Sequence, residues 1–448
     1  MLLPRDLVKY AESNVRSLVE SGAEPTADTL ARGPTWLDEV ARKLVRRALA
    51  PMQNGRLVMR LPDGTEQTFG NGADGPSATM HIRRPNFFRR CARAGDLGFG
   101  ESYQAGEWDT PDLVAVIGWF CANVESSPGM SGTQHQDWLL TSLRAGSGLL
   151  SRLRHALRRN SVAGAAANIH AHYDLGNPFY SLWLDPSMTY SAALFEAPDQ
   201  NLAAAQAAKY DRLCRELRLQ PGDHLLEIGS GWGGMAAHAA RNYGCRVSTI
   251  TISDEQFRYT TERMKMEGLA DRVEVRRQDY RQVEGQYDKI VSIEMLEAVG
   301  DAFLPTYFRK VQGLLKRNGL FAAQFITCPD RRHAEFRRNV DWIQKHIFPG
   351  SLLLSMNRVA AVAQRTSSLS LHSLHDLGLD YARTLREWRQ RFHAQQDAVR
   401  AQGFDQHFIR TWDYYLAYCE AAFAWRNISV VQAVWAGPNC RALMDSSR

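Results

Sequence analysis

The sequence predicts an α/β fold: a Rossmann-like parallel sheet with helices on both faces, preceded by a smaller α+β domain. Three observations carry this. Residues 168 to about 327 alternate short apolar runs with amphipathic stretches, the pattern of strands joined by crossover helices. Within them, LLEIGSGWGG (225–234) sets Gly229, Gly231 and Gly234 between an apolar run and MAAHAARNYG, which reads as a helix. Upstream, short β-type runs are bounded by Gly, Pro, Asn or Asp without such alternation.

Taken in order, residues 1–127 form the first domain. GRLVMRLPDG, TEQTFG and ATMHIRR read as its strands and DLVAVIGWFCANVE as a helix. Residues 128–167 form a basic amphipathic linker that begins within SSPGMSG. In it, WLLTSLRAGSGLLSRLRHALRRN (138–160) carries five arginines and no acid, and Leu139, Leu143, Leu150, Leu153 and Leu157 fall near one helical face. This composition suits an anionic membrane surface; an interdomain helix with a solvated basic face fits it too. Gly146 and Gly148 weaken the helix. Residues 168–448 form the last domain. HLLEIGS, CRVSTITIS, VEVRRQDY, YDKIVSI and GLFAAQFIT read as strands, and GGMAAHAARNYG and DEQFRYTTERMKMEG as helices. Residues 328–448, rich in Trp, Tyr and Phe, read mostly as helix, packed on the sheet or over its ligand-bearing edge.

The totals bound the function. A chain of 448 residues is long enough for two or three domains. No run approaches the roughly 20 apolar residues of a membrane span. The N-terminus lacks the apolar core of a secretion leader, so a cytoplasmic location is expected, peripheral to the inner face of a membrane if the basic linker binds lipid. The seven cysteines are scattered without a CxxC pair, which indicates neither a metal site nor a disulfide framework. The net charge of +6 comes without interleaved aromatics or a reading motif, so nucleic acid is not an expected partner.

A glycine-rich turn after a strand lets a ligand lie against the backbone. The spacing of Gly229, Gly231 and Gly234 also fits a nicotinamide fingerprint, and a tight turn without ligand stays open. Two acids separate the cofactors. Glu227, at the strand's end, can receive an ammonium group such as that of S-adenosylmethionine. Asp279, after a later strand, can accept from an adenine amino group. Together they favour S-adenosylmethionine.

HYDLGNPFY (172–180), LDPSMTYS (184–191), the stretch from NLAAAQAAKY to LLEIGSGWGG (201–234), STITISDEQ (248–256), QDYR (278–281), SIEMLEAVG (292–300), DWIQKHIFPG (341–350) and DYARTLREW (380–388) resemble the cyclopropane-fatty-acyl-phospholipid synthase family. The resemblance runs from about residue 85 to about 435, and LGFGESYQAGEW (97–108) is similar to that family's lipid-contacting N-terminal domain. It implies a fold of the S-adenosylmethionine-dependent methyltransferase type. It also implies that Tyr173, Tyr190 and Ser191 touch the cofactor. Glu227, Gly229, Ser230, Gly231 and Gly234 would form the methionine-side loop. Thr251, Ser253 and Gln256 would contact the ribose and its neighbours, and Gln278 and Asp279 would flank the adenine.

In that family a bound bicarbonate acts as base, held near a Cys, a Glu, a His, an Ile and a Tyr. The Glu, Ile and Tyr correspond to Glu297, Ile326 and Tyr381. The Cys position is Ala192 and the His position Gln324, so bicarbonate is in doubt here. Glu294 stands where ring-forming members usually have glycine, and Ala298 replaces a histidine. Glu294 or Glu297 is therefore expected to supply the missing carboxylate, unless Glu294 is an exposed or salt-bridged loop residue. Cys419 matches a cysteine long proposed as the family's nucleophile, but its neighbours Tyr414, Tyr415, Tyr418 and Phe423 suggest a packed helix with an inert thiol.

Methyl transfer to a cis alkene leaves a carbocation, and the base's position helps decide between a ring and a branch. The pattern resembles a side branch of the family that methylates unsaturated acyl chains of membrane phospholipids without closing a ring. Cyclopropanation, small-amine N-methylation and a non-enzymatic lipid-binding protein remain alternatives. A homodimer stays open, and a branched alkene would need a separate reductase for saturation.

Overall fold

The computed structural model describes residues 36–125, 175–438, 440 and 443. The linker 128–167, its basic stretch 138–160, and Tyr173 lie outside the described residues.

The first unit holds a four-stranded sheet in the order β2-β1-β3-β4. Its strands are β1 (Arg56–Arg60), β2 (Glu66–Phe69), β3 (Ser77–Ile82) and β4 (Trp108–Asp109). β1 and β3 are parallel, and β2 and β4 pair antiparallel at the edges. The period-two pattern sends Leu57 and Met59 of β1, and Ala78, Met80 and Ile82 of β3, into the core. The helix Leu113–Ala122 packs on β3, and its start is capped by Asp112, which accepts from the Ala115 N–H.

The second unit is a seven-stranded sheet in the order β10-β11-β9-β8-β5-β6-β7. Its strands are β5 (His224–Ile228), β6 (Arg246–Thr251), β7 (Val273–Arg277), β8 (Tyr287–Ile293), β9 (Leu315–Thr327), β10 (Ser370–Asp376) and β11 (Ser429–Ala436). The five strands from β9 through β7 run parallel, whereas β11 is antiparallel to both its neighbours. The chain moves outward from β5 to β7 and then returns to β8 on the other side of β5. The carboxyl ends of β5 and β8 therefore flank the switch point, where ligands of such sheets bind.

Residues 328–448 are mostly helix, as the sequence reads, but they also supply β10 and β11, which complete the sheet. SVVQAVWA in β11 is buried on both faces, from Val430 to Ala436. Without period-two alternation, a doubly buried strand looks like a buried helix segment.

The helices Gly378–Ala394 and Gln406–Ala424 join the two units. Asp413 Oδ1 accepts from Arg389 Nε and His393 Nε2, both at 2.7 Å, and its Oδ2 accepts from the Tyr103 hydroxyl at 2.7 Å. Arg410 donates to the carbonyls of Tyr103 and Trp108 and to Asp109. This partly buried network ties the helices Gly378–Ala394 and Gln406–Ala424 to the first unit.

Candidate active site

The loop after β5 is shaped by backbone conformations that glycine tolerates. Gly229 has φ +97° and Gly231 φ +50°. The N–H groups of Gly229 and Ser230 both donate to the Ile250 carbonyl, at 3.1 and 2.9 Å, and pin the loop to β6. A Cβ on Gly231 would meet nothing within 4 Å, so this backbone borders open space. A Cβ on Gly234 would lie 2.5 Å from the Tyr210 hydroxyl, so that glycine answers to packing instead. Just before the loop, Glu227 is 2% exposed and accepts from Thr249 Oγ1 at 2.6 Å. Burial pushes its carboxyl up to about 8.

The ends of β6 and β7 carry the next residues. Thr251 Oγ1 donates to Gln256 Oε1 at 2.8 Å, and Ser253 caps the helix Asp254–Met266 by accepting from the Gln256 N–H. The Gln278 N–H donates to the Thr251 carbonyl at 2.9 Å. Asp279 grips Arg281 with both oxygens, at 2.8 and 2.6 Å. Burial raises its carboxyl, but the Arg281 guanidinium and N–H outweigh that and hold it below the usual carboxylate range. An adenine amino group would share these oxygens with Arg281. A buried acid in β5, an open glycine backbone just after it and an ionised aspartate after β7 thus lie along the carboxyl edge of the sheet. Their chemistry fits S-adenosylmethionine: an acid for the ammonium, bare backbone for close approach, and an acceptor near the base.

A second cluster forms beyond β8. Glu294, the residue after that strand, has φ +50°. Its Oε1 accepts from the Ala192 N–H at 2.9 Å and from Gln324 Nε2 at 2.8 Å, and its Oε2 accepts from the Tyr381 hydroxyl at 2.8 Å. Burial pushes this carboxyl up, while these donors and the charge of Lys209 oppose the rise. The alternative of an exposed or salt-bridged loop residue is thereby corrected. Glu297 is 8% exposed; its Oε1 accepts from the Ile326 N–H at 2.5 Å, and its buried Oε2 has no partner among the described residues. Burial, then the neighbouring Glu294, pushes Glu297 up to about 8.

The structure therefore brings Ala192, Glu294, Glu297, Gln324, Ile326 and Tyr381 together from four separate segments. Ala192, Gln324 and Tyr381 already donate to the Glu294 carboxylate. Those residues do not fit a bicarbonate ion as well, since the donors that would hold it are engaged.

Two members escaped sequence reasoning. Gln432 on β11 donates to Gln324 Oε1 at 3.0 Å, which forces the Gln324 NH2 toward Glu294. It went unseen because its strand did. Lys209 on the helix Leu202–Glu216 is fully buried, and its Nζ donates to Ser191 Oγ at 2.7 Å. Its signal was present: Leu202, Ala205, Lys209 and Leu213 fall on one helical stripe, so a lysine occupies a core position.

Aromatic rings close the site. The Tyr190 and Tyr415 hydroxyls are 2.8 Å apart, and the Tyr190 ring packs against Trp183, Trp388 and Phe348. Cys419, on the same helix as Tyr415, is partly buried, and burial pushes its thiol up, away from the reactive thiolate.

Comparisons with known proteins agree with this geometry. The mycolic acid cyclopropane synthetase family profile matches residues 160–433. The chain is 37% identical to tuberculostearic acid methyltransferase UfaA1 of Mycobacterium tuberculosis over 427 residues, 92% of this chain and 95% of that protein. It is 36% identical to cyclopropane-fatty-acyl-phospholipid synthase of Escherichia coli K12 over 361 residues, 80% of this chain and 87% of that one. Among solved structures, cyclopropane synthase MmaA2 of Mycobacterium tuberculosis matches with TM-score 0.57 at 28% identity, covering 60% of this chain and 98% of that one. Mycolic acid cyclopropane synthase CmaA1, solved with SAH and CTAB, matches with TM-score 0.57 at 30% identity, over 60% and 98% of the two chains.

Proposed function

The chain belongs to the mycolic acid cyclopropane synthetase family and is an S-adenosylmethionine-dependent methyltransferase, and from that premise we propose that it forms a methyl- or methylene-branched acyl chain from an unsaturated phospholipid. The observation that carries the proposal is the Glu294 carboxylate, which accepts from Ala192, Gln324 and Tyr381 where a bicarbonate would otherwise be held. Similarity to a tuberculostearic acid methyltransferase over nearly the whole chain supports a branched product.

S-adenosylmethionine, when bound, supplies an electrophilic methyl group. Glu227 would receive its ammonium end, and residues 229–234 with Tyr190 and Ser191 would hold its methionine side, where the family resemblance also assigns Tyr173. Thr251, Ser253 and Gln256 would serve the ribose, and Gln278 and Asp279 the adenine. The methylated alkene is a carbocation, and the rings of Tyr190, Trp388, Phe348 and Tyr415 keep water from it. After a hydride shift along the chain, a C–H bond of the added carbon breaks. Its proton passes to the Glu294 carboxylate and its electron pair forms the methylene double bond to the cationic chain carbon. Without that shift, the same proton loss closes a ring. Ring closure is the second reading, favoured by the similarity to the Escherichia coli synthase.

The division into a lipid-facing unit at 1–127, a membrane-binding linker at 128–167 and a methyltransferase unit at 168–448 belongs to this proposal, as does a peripheral place on the inner face of the membrane. Among the described residues no helix is long and apolar enough to cross a membrane. A homodimer and a separate reductase complete it.

The test is mass spectrometry of fatty acids from cells expressing the protein with methyl-deuterated methionine. Loss of one deuterium, with chromatography matching a methylene-branched standard, is expected. A labelled ring overturns the branching argument and spares the enzyme class. Retention of all three deuteriums would mean that the proton leaves the chain and not the added carbon.

A further inference from the structure

The reaction above leaves Lys209 without a role. Its Nζ is bonded to a hydroxyl, that of Ser191, rather than to a carboxylate. A fully buried ammonium is costly unless opposite charge compensates it. The carboxyl groups that favour its charged form when ionised are Glu294, Asp185 and Glu227, in that order, and the Tyr210 ring lies 4.3 Å below it.

Two independent links tie Lys209 to Glu294. Ser191 holds the Lys209 ammonium, and the next residue, Ala192, gives its N–H to Glu294 Oε1. Gln206, on the same helix, donates to the Ser191 carbonyl at 2.9 Å and steadies this turn. On the other side, Gln432 Nε2 donates both to the Lys209 carbonyl, at 3.4 Å, and to Gln324 Oε1, and Gln324 donates to Glu294.

We propose that Lys209 is a positioning residue: its ammonium keeps Glu294 in the ionised, proton-accepting form, and its bond to Ser191 fixes the turn that grips Glu294. The proposal rests on Glu294 being the base. Burial lowers the Lys209 amine to about 7, and the carboxyl groups of Glu294, Asp185 and Glu227 favour its protonated form.

The first experiment is the pH profile of methyl transfer to lipid in Lys209→Met. Activity should rise with pH as Glu294 ionises, and losing the ammonium should move that limb upward. A shift of about one pH unit lowers the rate about tenfold on the acidic limb and leaves it near wild type at high pH. A drop by the same factor at every pH overturns the proposal. Lys209→Gln, which keeps a donor for Ser191 without the charge, must shift the limb as well; a wild-type limb in that variant also overturns it. Infrared difference spectra of the free protein give a readout independent of turnover. The protonated-carboxyl band that Glu294→Gln removes should persist to higher pH in Lys209→Met, and an unmoved band overturns the proposal. If Glu294→Gln keeps the activity limb, the base assignment fails, and the infrared titration still decides whether Lys209 controls Glu294.

Discussion

Tyr381 donates its hydroxyl hydrogen to Glu294 Oε2 at 2.8 Å, across 87 residues of sequence. The bond joins the helix Gly378–Ala394 to the carboxyl end of β8. Tyr381 is 5% exposed and packs on Phe423, so its hydroxyl has little freedom to turn away. Glu294 thus receives charge-directed donors from a strand, a loop and a helix that no short motif connects.

Replacing Glu294 tests the carboxylate directly. Glu294→Gln keeps the shape without a proton-accepting oxygen, and methyl incorporation into lipid should fall by about a hundredfold or more, while cofactor affinity by calorimetry stays within about threefold. Glu294→Gly should free Ala192, Gln324 and Tyr381 to hold an anion, so added bicarbonate should restore part of the activity. Full activity in Glu294→Gly without bicarbonate would remove the idea.

Tyr381→Phe deletes one donor to the ionised form, and a hydrogen bond to a charged group is worth about 1.5–3 kcal/mol. Burial already raises Glu294, and losing the donor raises it further. Activity requires the ionised form, so it should fall about tenfold or more at neutral pH and recover as pH rises. A pH profile with an unmoved limb would assign Tyr381 to packing alone.

Glu227 should release a proton when cofactor binds. Its folded value is pushed to about 8 against an ordinary 4.5, so the free protein holds the proton at neutral pH. Between those values the folded state keeps a proton that the unfolded chain loses, and stability falls as pH rises. An ammonium beside the carboxyl reverses the preference. Calorimetry near pH 7 in buffers of different ionisation heat should show proton release, and Glu227→Gln should abolish it and weaken binding.

Two neighbouring glycines should fail differently. Gly231→Ala places a methyl in open space at φ +50°, so stability should drop by only about 1–2 kcal/mol while cofactor affinity falls sharply. Gly234→Ala meets the Tyr210 hydroxyl, which is held at 2.6 Å by Thr189, and should lower the melting temperature through a clash of about 1–3 kcal/mol. Thermal melts and cofactor titrations separate the two.

Cys419→Ser should retain activity within about twofold, because a partly buried thiol with a raised pKa is a poor nucleophile. Loss of methyl transfer with an unchanged melting temperature would give Cys419 a chemical role.

The strand, glycine loop and helix around Glu227 were legible because local pattern and local chemistry coincide there. Glu294 stood out as a carboxylate where a relative has glycine, yet its partners come from residues 192, 324 and 381 and only folding brings them together. Gln432 was hidden twice, by a strand with no alternation and by a polar residue whose partner is another amide. Lys209 broke an apolar stripe, a visible signal whose meaning depends on the buried acids around it.

The place of β11 bears on how the enzyme comes into being. The strand lies between β9 and β10, so both remain without their shared neighbour until residues 429–436 have left the ribosome. Until then a nascent chain presents the open edge of β9, carrying Gln324, to any other strand nearby. Assembly of the cluster around Glu294 is therefore a late event in synthesis. A chain stalled before β11 would carry the whole glycine loop and every acid discussed above, but not the amide that orients Gln324.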